Sequence, residues 1–170
     1  MIETKRLLIR SFALTDVDSY AELVSDPEVM RFIGNGEPQS QMEAKNYVEE
    51  CMTSFNELGW SRYAVTLKDT DEFIGFCGFK KYRGEIDLGW RYHKKYWGKG
   101  FGSEAAEAVL EYGFTHLHFP KIVCIVYTEN IASIRIIEKL NMQLETQTTL
   151  NGFDALQYFL TNPTNTLRSA

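Results

Sequence analysis

The chain has 170 residues, 44% of them apolar and 24% charged, and a formal net charge of −5. That length fits one compact domain with a sizeable core, and the acidic balance argues against nucleic acid or an anionic membrane as a partner. Cys51, Cys77 and Cys124 are widely spaced and form no CxxC pair, so neither a disulfide framework nor a zinc site is indicated, and they read as small buried hydrophobes.

The opening residues Met-Ile-Glu-Thr-Lys-Arg lack the basic stretch and apolar core of a signal peptide. No run approaches the ~18 apolar residues of a membrane span, so the cytoplasm is the expected location. Residues 7–12 alternate loosely and read as a first strand. Thr15 or Asp16 caps a helix running to about Val24. Asp26-Pro27 breaks it, because the residue before proline is pushed out of the α region. Residues 34–40, rich in Gly, Pro, Asn and Ser, form a loop. Residues 43–55 have helical spacing at Ala44, Tyr47, Val48, Cys51, Met52 and Phe55.

After Gly59 the period changes to two. Residues 62–67, 72–82 and 85–92 read as three successive strands, turned at 68–71 and at Arg83-Gly84. Residues 103–117 return to helical spacing, with Ala106, Val109, Leu110, Gly113 and Leu117 on one face and Glu104, Glu107 and Glu111 on a solvated one. Residues 122–126 are a continuous apolar run, the pattern of a strand buried on both faces. A short helix follows over 131–140, ended by Asn141 in the left-handed conformation. Residues 143–150 and 153–161 form a last hairpin turned at Asn151-Gly152. Residues 162–170 are polar and expected to fray, which bounds the domain at 1–161. The helix between the fourth and fifth strands makes a crossover, so those two strands should be parallel. The expected fold is α/β: one domain with a mixed, mostly antiparallel sheet of about seven strands and helices on both faces.

The segment Trp97-Gly98-Lys99-Gly100-Phe101-Gly102-Ser103 lies between a strand and a helix. Unpaired N–H groups and the positive dipole end of the helix attract an anion there, and glycines let a phosphate approach the backbone. A Walker A loop would need Ser or Thr directly after Gly98-Lys99, where Gly100 stands. A dinucleotide fingerprint would need glycine at position 103, which is Ser103, and would normally open the domain. A plain glycine turn is the remaining alternative.

On these residues the chain resembles the GNAT superfamily of N-acetyltransferases, and within it the ribosomal-protein-alanine N-acetyltransferase group. Gly100 and Gly102 match the glycines of the family's coenzyme motif, with Trp97 in place of its Arg or Gln. Asn130, Ser133, Lys139 and Leu140 match a second family element, although Asn141-Met142 departs from its Gly-Phe ending. Thr4, Arg6, Leu7 and Arg10, then the run from Asp26 to Met30, match the family's opening.

The resemblance implies acetyl-CoA as cosubstrate, with pantetheine along the strand of Leu88, Gly89 and Trp90 like an added edge strand. Pyrophosphate would rest on amides from Gly98 through Lys99, Gly100, Phe101 and Gly102 to Ser103. Asn130 would hold the pantetheine; from the residues alone it reads equally as a helix N-cap. The second partner is an amine, either a peptide N-terminus or a small molecule, and a homodimer stays open. The acceptor pocket should involve the segment after Asp26 and the final hairpin.

Many superfamily members carry a tyrosine acid seven residues after the asparagine. That position here is Ile137. Ser133 matches the donor of the ribosomal group and would hydrogen-bond the departing thiolate, although a serine in a first helical turn is also ordinary. Asp87 matches the acidic position two before Gly89 and is the expected base, with Glu85 on the same face as the alternative. A solvated carboxylate is the plain reading of either. His93, His116 and His118 carry no partner signal, so no histidine role and no metal are expected. A non-catalytic acyl-CoA-binding module and a nucleotide-binding domain are the competing functions.

Overall fold

The computed structural model describes residues 1–163. Its eight strands form one sheet in the order β1-β2-β3-β4-β5-β6-β8-β7. They are β1 (Ile2–Glu3), β2 (Leu7–Arg10), β3 (Arg62–Leu67), β4 (Phe73–Tyr82), β5 (Glu85–Tyr92), β6 (Lys121–Tyr127), β7 (Gln143–Leu150) and β8 (Phe153–Thr161). All neighbours are antiparallel except β5 and β6, which run parallel. The helices are α1 (Val17–Ser25), α2 (Pro27–Met30), α3 (Gln41–Leu58), α4 (Phe101–Thr115) and α5 (Ile131–Lys139).

Two cores lie on the two faces of the sheet. Leu7, Ile9, Tyr63, Val65, Phe79, Leu88 and Tyr92 pack on one face with Ala105, Ala106 and Val109 of α4 and Ile137 of α5. Ala64 and Phe76 point the other way, to Tyr20, Leu23 and Val24 of α1 and Ala44 and Val48 of α3. Strand alternation is what lets adjacent residues feed opposite cores.

The differences from expectation have local causes. The two-residue β1 adds an eighth strand, too short to show a period. Helix α3 starts at Gln41 because Ser40 and Glu43 cap it reciprocally: the Glu43 N–H donates to Ser40 Oγ at 3.3 Å and the Ser40 N–H to Glu43 Oε2 at 2.8 Å. Asp26-Pro27 both ends α1 and opens α2, since Asp26 Oδ1 accepts the Glu28 N–H at 2.9 Å and proline suits a first helical position. Helical spacing puts Glu104 on a solvated face, but its side chain is only 19% exposed and is held by the chain's opening segment. Asn162 does not fray: it is buried, and its side-chain amide donates to the carbonyls of Phe114 and Phe119. Residues 164–170, the rest of the expected tail, lie outside the described residues.

Candidate active site

A gap in the sheet organises the site. β5 pairs with β4 along its whole length, from Glu85↔Tyr82 to Tyr92↔Gly75. With β6 it shares a single register pair, Asp87↔Val123. Beyond that point the two parallel strands part. From Leu88 through Gly89 and Trp90 that edge of β5 therefore has no ladder partner in β6, and it can take hydrogen bonds from an extended ligand. A Cys124 thiol donating to the Leu88 carbonyl at 3.1 Å is what remains of the pairing.

β5 leads into the glycine segment. Gly98 and Gly100 sit at φ 72° and 80°, the left-handed region that side chains rarely adopt, and Gly100 is the N-cap of α4. The first turn of α4 thus presents the N–H groups of Phe101, Gly102 and Ser103 at a positive helix end. Gly102 serves packing: a Cβ there would lie 3.0 Å from Ile136 Cδ1 and 3.4 Å from Tyr92 Cε2. The Trp97 indole N–H donates to the Tyr92 carbonyl at 2.8 Å, yet the residue stays 47% exposed beside the turn. Lys99 stands over the Tyr96 ring.

Arg6 reaches this turn from just before β2. Its Nε donates to Glu104 Oε2 at 2.6 Å, its backbone N–H to Glu104 Oε1 at 2.9 Å, and its Nη1 to the Lys99 carbonyl at 3.0 Å. Thr4 Oγ1 also donates to Glu104 Oε1, at 2.6 Å. Burial pushes the Glu104 carboxyl up, but hydrogen bonds from Thr4 and Arg6 and the Arg6 charge outweigh it and hold it below its ordinary value. A depressed folded value gives stability that is present above ~4.3 and lost as pH falls through the folded value. Glu104→Gln should therefore cost about 1–2 kcal/mol at pH 7. The difference from the parent should shrink toward acid pH, measured by urea midpoints across a pH series.

Asp87 stands at the vertex of the gap. Its Oδ2 accepts from Arg62 Nη2 in a short ion pair, and its carbonyl accepts from Arg62 Nη1 at 3.0 Å. Nη1 also donates to the Gly78 carbonyl. Burial opposes the Arg62 charge most strongly, but the Asp87 charge and hydrogen bond outweigh it, leaving the guanidinium more firmly protonated. Gly89 makes room for this group, since a Cβ there would come within 2.9 Å of Arg62 Nη2. Glu85 lies on the closed side of the vertex and is tied to Lys121 at 3.1 Å.

Asn130 caps α5, its Oδ1 accepting the Ser133 N–H at 3.1 Å, which leaves its amide nitrogen available as a donor. The Ser133 hydroxyl makes no hydrogen bond among the described residues. Both residues follow β6, across the gap from β5.

Beside them a cleft of about 410 Å³ is lined by Arg31, Phe32 and Gly34 to Gly36, by Tyr127 to Glu129, and by Gly152 to Asp154. Its walls meet at one junction. The Tyr127 hydroxyl donates to the Gly34 carbonyl at 2.7 Å, and the Asn151 side-chain amide donates to that carbonyl and to the Tyr127 oxygen, both at 3.0 Å. Arg62, Arg6, Glu104 and this junction are the residues that periodicity did not reveal. Only Arg6 belonged to a motif.

Burial lowers the pKa of His93, His116 stacks on Tyr112, and among the described residues no group of acidic, His and Cys side chains is arranged to hold a metal. No helix of the described residues is long and apolar enough to cross a membrane.

Comparison with known proteins agrees with this geometry. The family profile described as acetyltransferase (GNAT) domain matches residues 6–143. An N-acetyltransferase of Bacillus subtilis strain 168, YnaD, itself called uncharacterized, is 38% identical over 146 residues, covering 85% of this chain and 83% of its own. The crystal structure of a GNAT-family acetyltransferase from Bacillus anthracis superposes with a TM-score of 0.84 at 31% identity, covering 95% of this chain and 98% of that one. RimL, a ribosomal L7/L12 alpha-N-protein acetyltransferase solved with coenzyme A, shares the fold at a TM-score of 0.81 and 18% identity, covering 93% and 95%. The chain belongs to the GNAT acetyltransferase family, N-acetyltransferases that use acetyl-CoA.

Proposed function

We propose that the chain transfers the acetyl group of acetyl-CoA directly to the α-amine of a peptide N-terminus or of a small molecule. The observation that carries this reading is the single Asp87↔Val123 pair at which the sheet opens. The residues fit the coenzyme: the free edge at Leu88, Gly89 and Trp90 suits the amides of pantetheine, and the α4 first turn suits a pyrophosphate. The Asn130 amide nitrogen is a donor for the pantetheine on the opposite wall. The amine attacks the thioester carbonyl carbon, the carbon–sulfur bond breaks, and the sulfur leaves as a thiolate that accepts a hydrogen bond from Ser133. Asp87 takes the amine's proton through a water at Oδ1, the oxygen Arg62 does not occupy. Glu85 is the less suitable base because Lys121 holds it on the closed side of the vertex.

Direct transfer is supported by the cysteines. Burial pushes the Cys51 thiol to about 11, Cys77 to about 12 and Cys124 upward as well, so none supplies a thiolate for an acyl-enzyme. Three free buried thiols also suit a reducing compartment, and we place the enzyme in the cytoplasm.

The cleft walls come from the segment after Asp26 and the final hairpin, which suits an acceptor site. An α-amine, with a pKa near ~8, asks less of a base than a lysine or polyamine amine near ~10. A carboxylate working through water matches the easier task. RimL, the neighbour solved with coenzyme A, acts on a protein α-amine. The test is initial rates of acetyl-CoA consumption at one pH near neutrality, with peptides, amino acids, polyamines and aminoglycosides at matched concentrations. Higher kcat/KM for α-amines and intersecting double-reciprocal lines are expected. A polyamine or aminoglycoside surpassing every α-amine would overturn the acceptor class. Ser133→Ala should lower kcat about tenfold to a thousandfold with little change in coenzyme affinity. Unchanged kcat removes Ser133 from the mechanism.

A further inference from the structure

The coenzyme turn is fastened to the far edge of the sheet by one side chain. Arg6 precedes β2, the second strand from that edge, whereas Lys99 and Gly100 follow β5. Its guanidinium bridges two parts of the turn and adds to the one backbone bond between them, the Glu104 N–H donating to the Gly100 carbonyl at 3.1 Å. Nε is held by Glu104 one turn into α4, and Nη1 holds the Lys99 carbonyl just before the helix cap. The guanidinium carbon lies 4.2 Å from the centroid of the Phe101 ring. Nη2, without a partner among the described residues, would lie 3.4 Å from a Cβ at Gly100.

Each contact fixes a different coordinate of the cradle. The Lys99 bond sets where the peptide plane before Gly100 points. The Phe101 contact fixes the first helical residue. The Glu104 pair ties both to the helix axis. Glu104 is itself immobilised by Thr4 Oγ1 and the Arg6 N–H, so the strut is rigid at both ends. A left-handed two-glycine turn has many conformations when free, and a phosphate site is strong only when its N–H groups are already aimed.

Resting on the acetyl-CoA reading above, we propose that Arg6 is a positioning residue for coenzyme binding: braced by Glu104, it holds the 98–103 turn in the anion-binding conformation. The contribution belongs to binding, because what Arg6 orients is the turn's N–H groups, and Arg6 makes no contact with Asp87 or Ser133. It depends on the planar fork of arginine, which satisfies Glu104 and Lys99 together. A lysine supplies the charge, but its three N–H donors sit on one nitrogen and cannot span Glu104 and the Lys99 carbonyl as the fork does.

The experiment measures coenzyme A binding by calorimetry, and KM for acetyl-CoA and kcat, for the parent, Arg6→Ala, Arg6→Lys, Glu104→Gln and the exposed-charge control Lys45→Ala. Melting temperatures show that each variant is folded. Arg6→Ala should raise the coenzyme Kd and the acetyl-CoA KM about tenfold or more while kcat at saturation changes less than about twofold. Arg6→Lys should not restore affinity, Glu104→Gln should weaken binding in the same direction, and Lys45→Ala should match the parent. Full rescue by lysine would reduce the role to bulk charge and overturn the proposal. So would unchanged affinity in Arg6→Ala, or an equal fall in affinity and kcat. A parent that binds no coenzyme A would overturn the acetyl-CoA reading itself, and this proposal with it.

Discussion

Arg62→Met is expected to remove about 3–5 kcal/mol of folding stability, the cost of breaking a buried ion pair from one side. Arg62 is 9% exposed and satisfies three acceptors: the Asp87 carboxylate, the Asp87 carbonyl and the Gly78 carbonyl. Methionine fills much of the same space and satisfies none of them. Asp87 is left as a charge in an enclosed setting, and two carbonyls of β4 and β5 lose a donor. Against a total stability of about 5–15 kcal/mol this is a large fraction. It should appear as a lower urea midpoint with an unchanged slope. Adding Asp87→Leu removes the orphaned charge, so the double variant should recover much of the loss. Near-parental stability in Arg62→Met would mean that water reaches this pair. Asp87→Asn must be judged beside these variants, since it tests the base only where the protein stays folded.

Gly100→Val is expected to weaken coenzyme binding about a hundredfold in a protein that still folds. Gly100 sits at φ 80°, where a β-branched residue is strained by about 1–3 kcal/mol. The chain can relieve that strain by rotating the turn, and the rotation moves the N–H groups proposed to hold the phosphate. Its new Cβ would also meet Arg6 Nη2. Gly102→Val fails for a different reason. Its backbone is helical, but the added carbons press on Ile136 and Tyr92, an overpacking cost of about 1–3 kcal/mol. Calorimetry together with thermal melts separates the two: Gly100→Val should change Kd more than melting temperature, and Gly102→Val both. Parental affinity in Gly100→Val would put the phosphate site elsewhere.

Most of the fold was legible because most of its elements obey a single period. The bounds of β3, β5, β7 and β8 follow directly from alternation closed by turns, and Asn151-Gly152, both at positive φ, marks the last hairpin unambiguously. The parallel pairing of β5 and β6 follows from the crossover rule. The turn itself was legible, since alternating glycines before a helix mark one, and Gly98 and Gly100 do sit at positive φ. What periodicity misses is any contact between side chains far apart in sequence. Arg62 reads as the first residue of a strand until Asp87, 25 positions later, is seen beside it. Glu104 falls on the polar stripe of α4, and no local pattern reveals that Thr4 and Arg6 cover it. Asp87 and Glu85 cannot be ranked by alternation, because period two puts them on one face; the proposed preference for Asp87 rests on the family position it matches and on the point where β6 departs.

That point of departure also has a mechanical meaning. The sheet is two antiparallel plates, five strands and three, joined by a single stitch, and a ligand lying in the seam would supply the rungs the backbone leaves out. Cohesion between the plates then rests on α4 and α5, on the Lys121–Glu85 and Cys124–Leu88 contacts at the closed end, and on whatever ligand would fill the gap. Amide exchange near the seam should slow on coenzyme binding far more than exchange inside either plate. The cosubstrate would thus be, for as long as it stays, a structural member of the protein it serves.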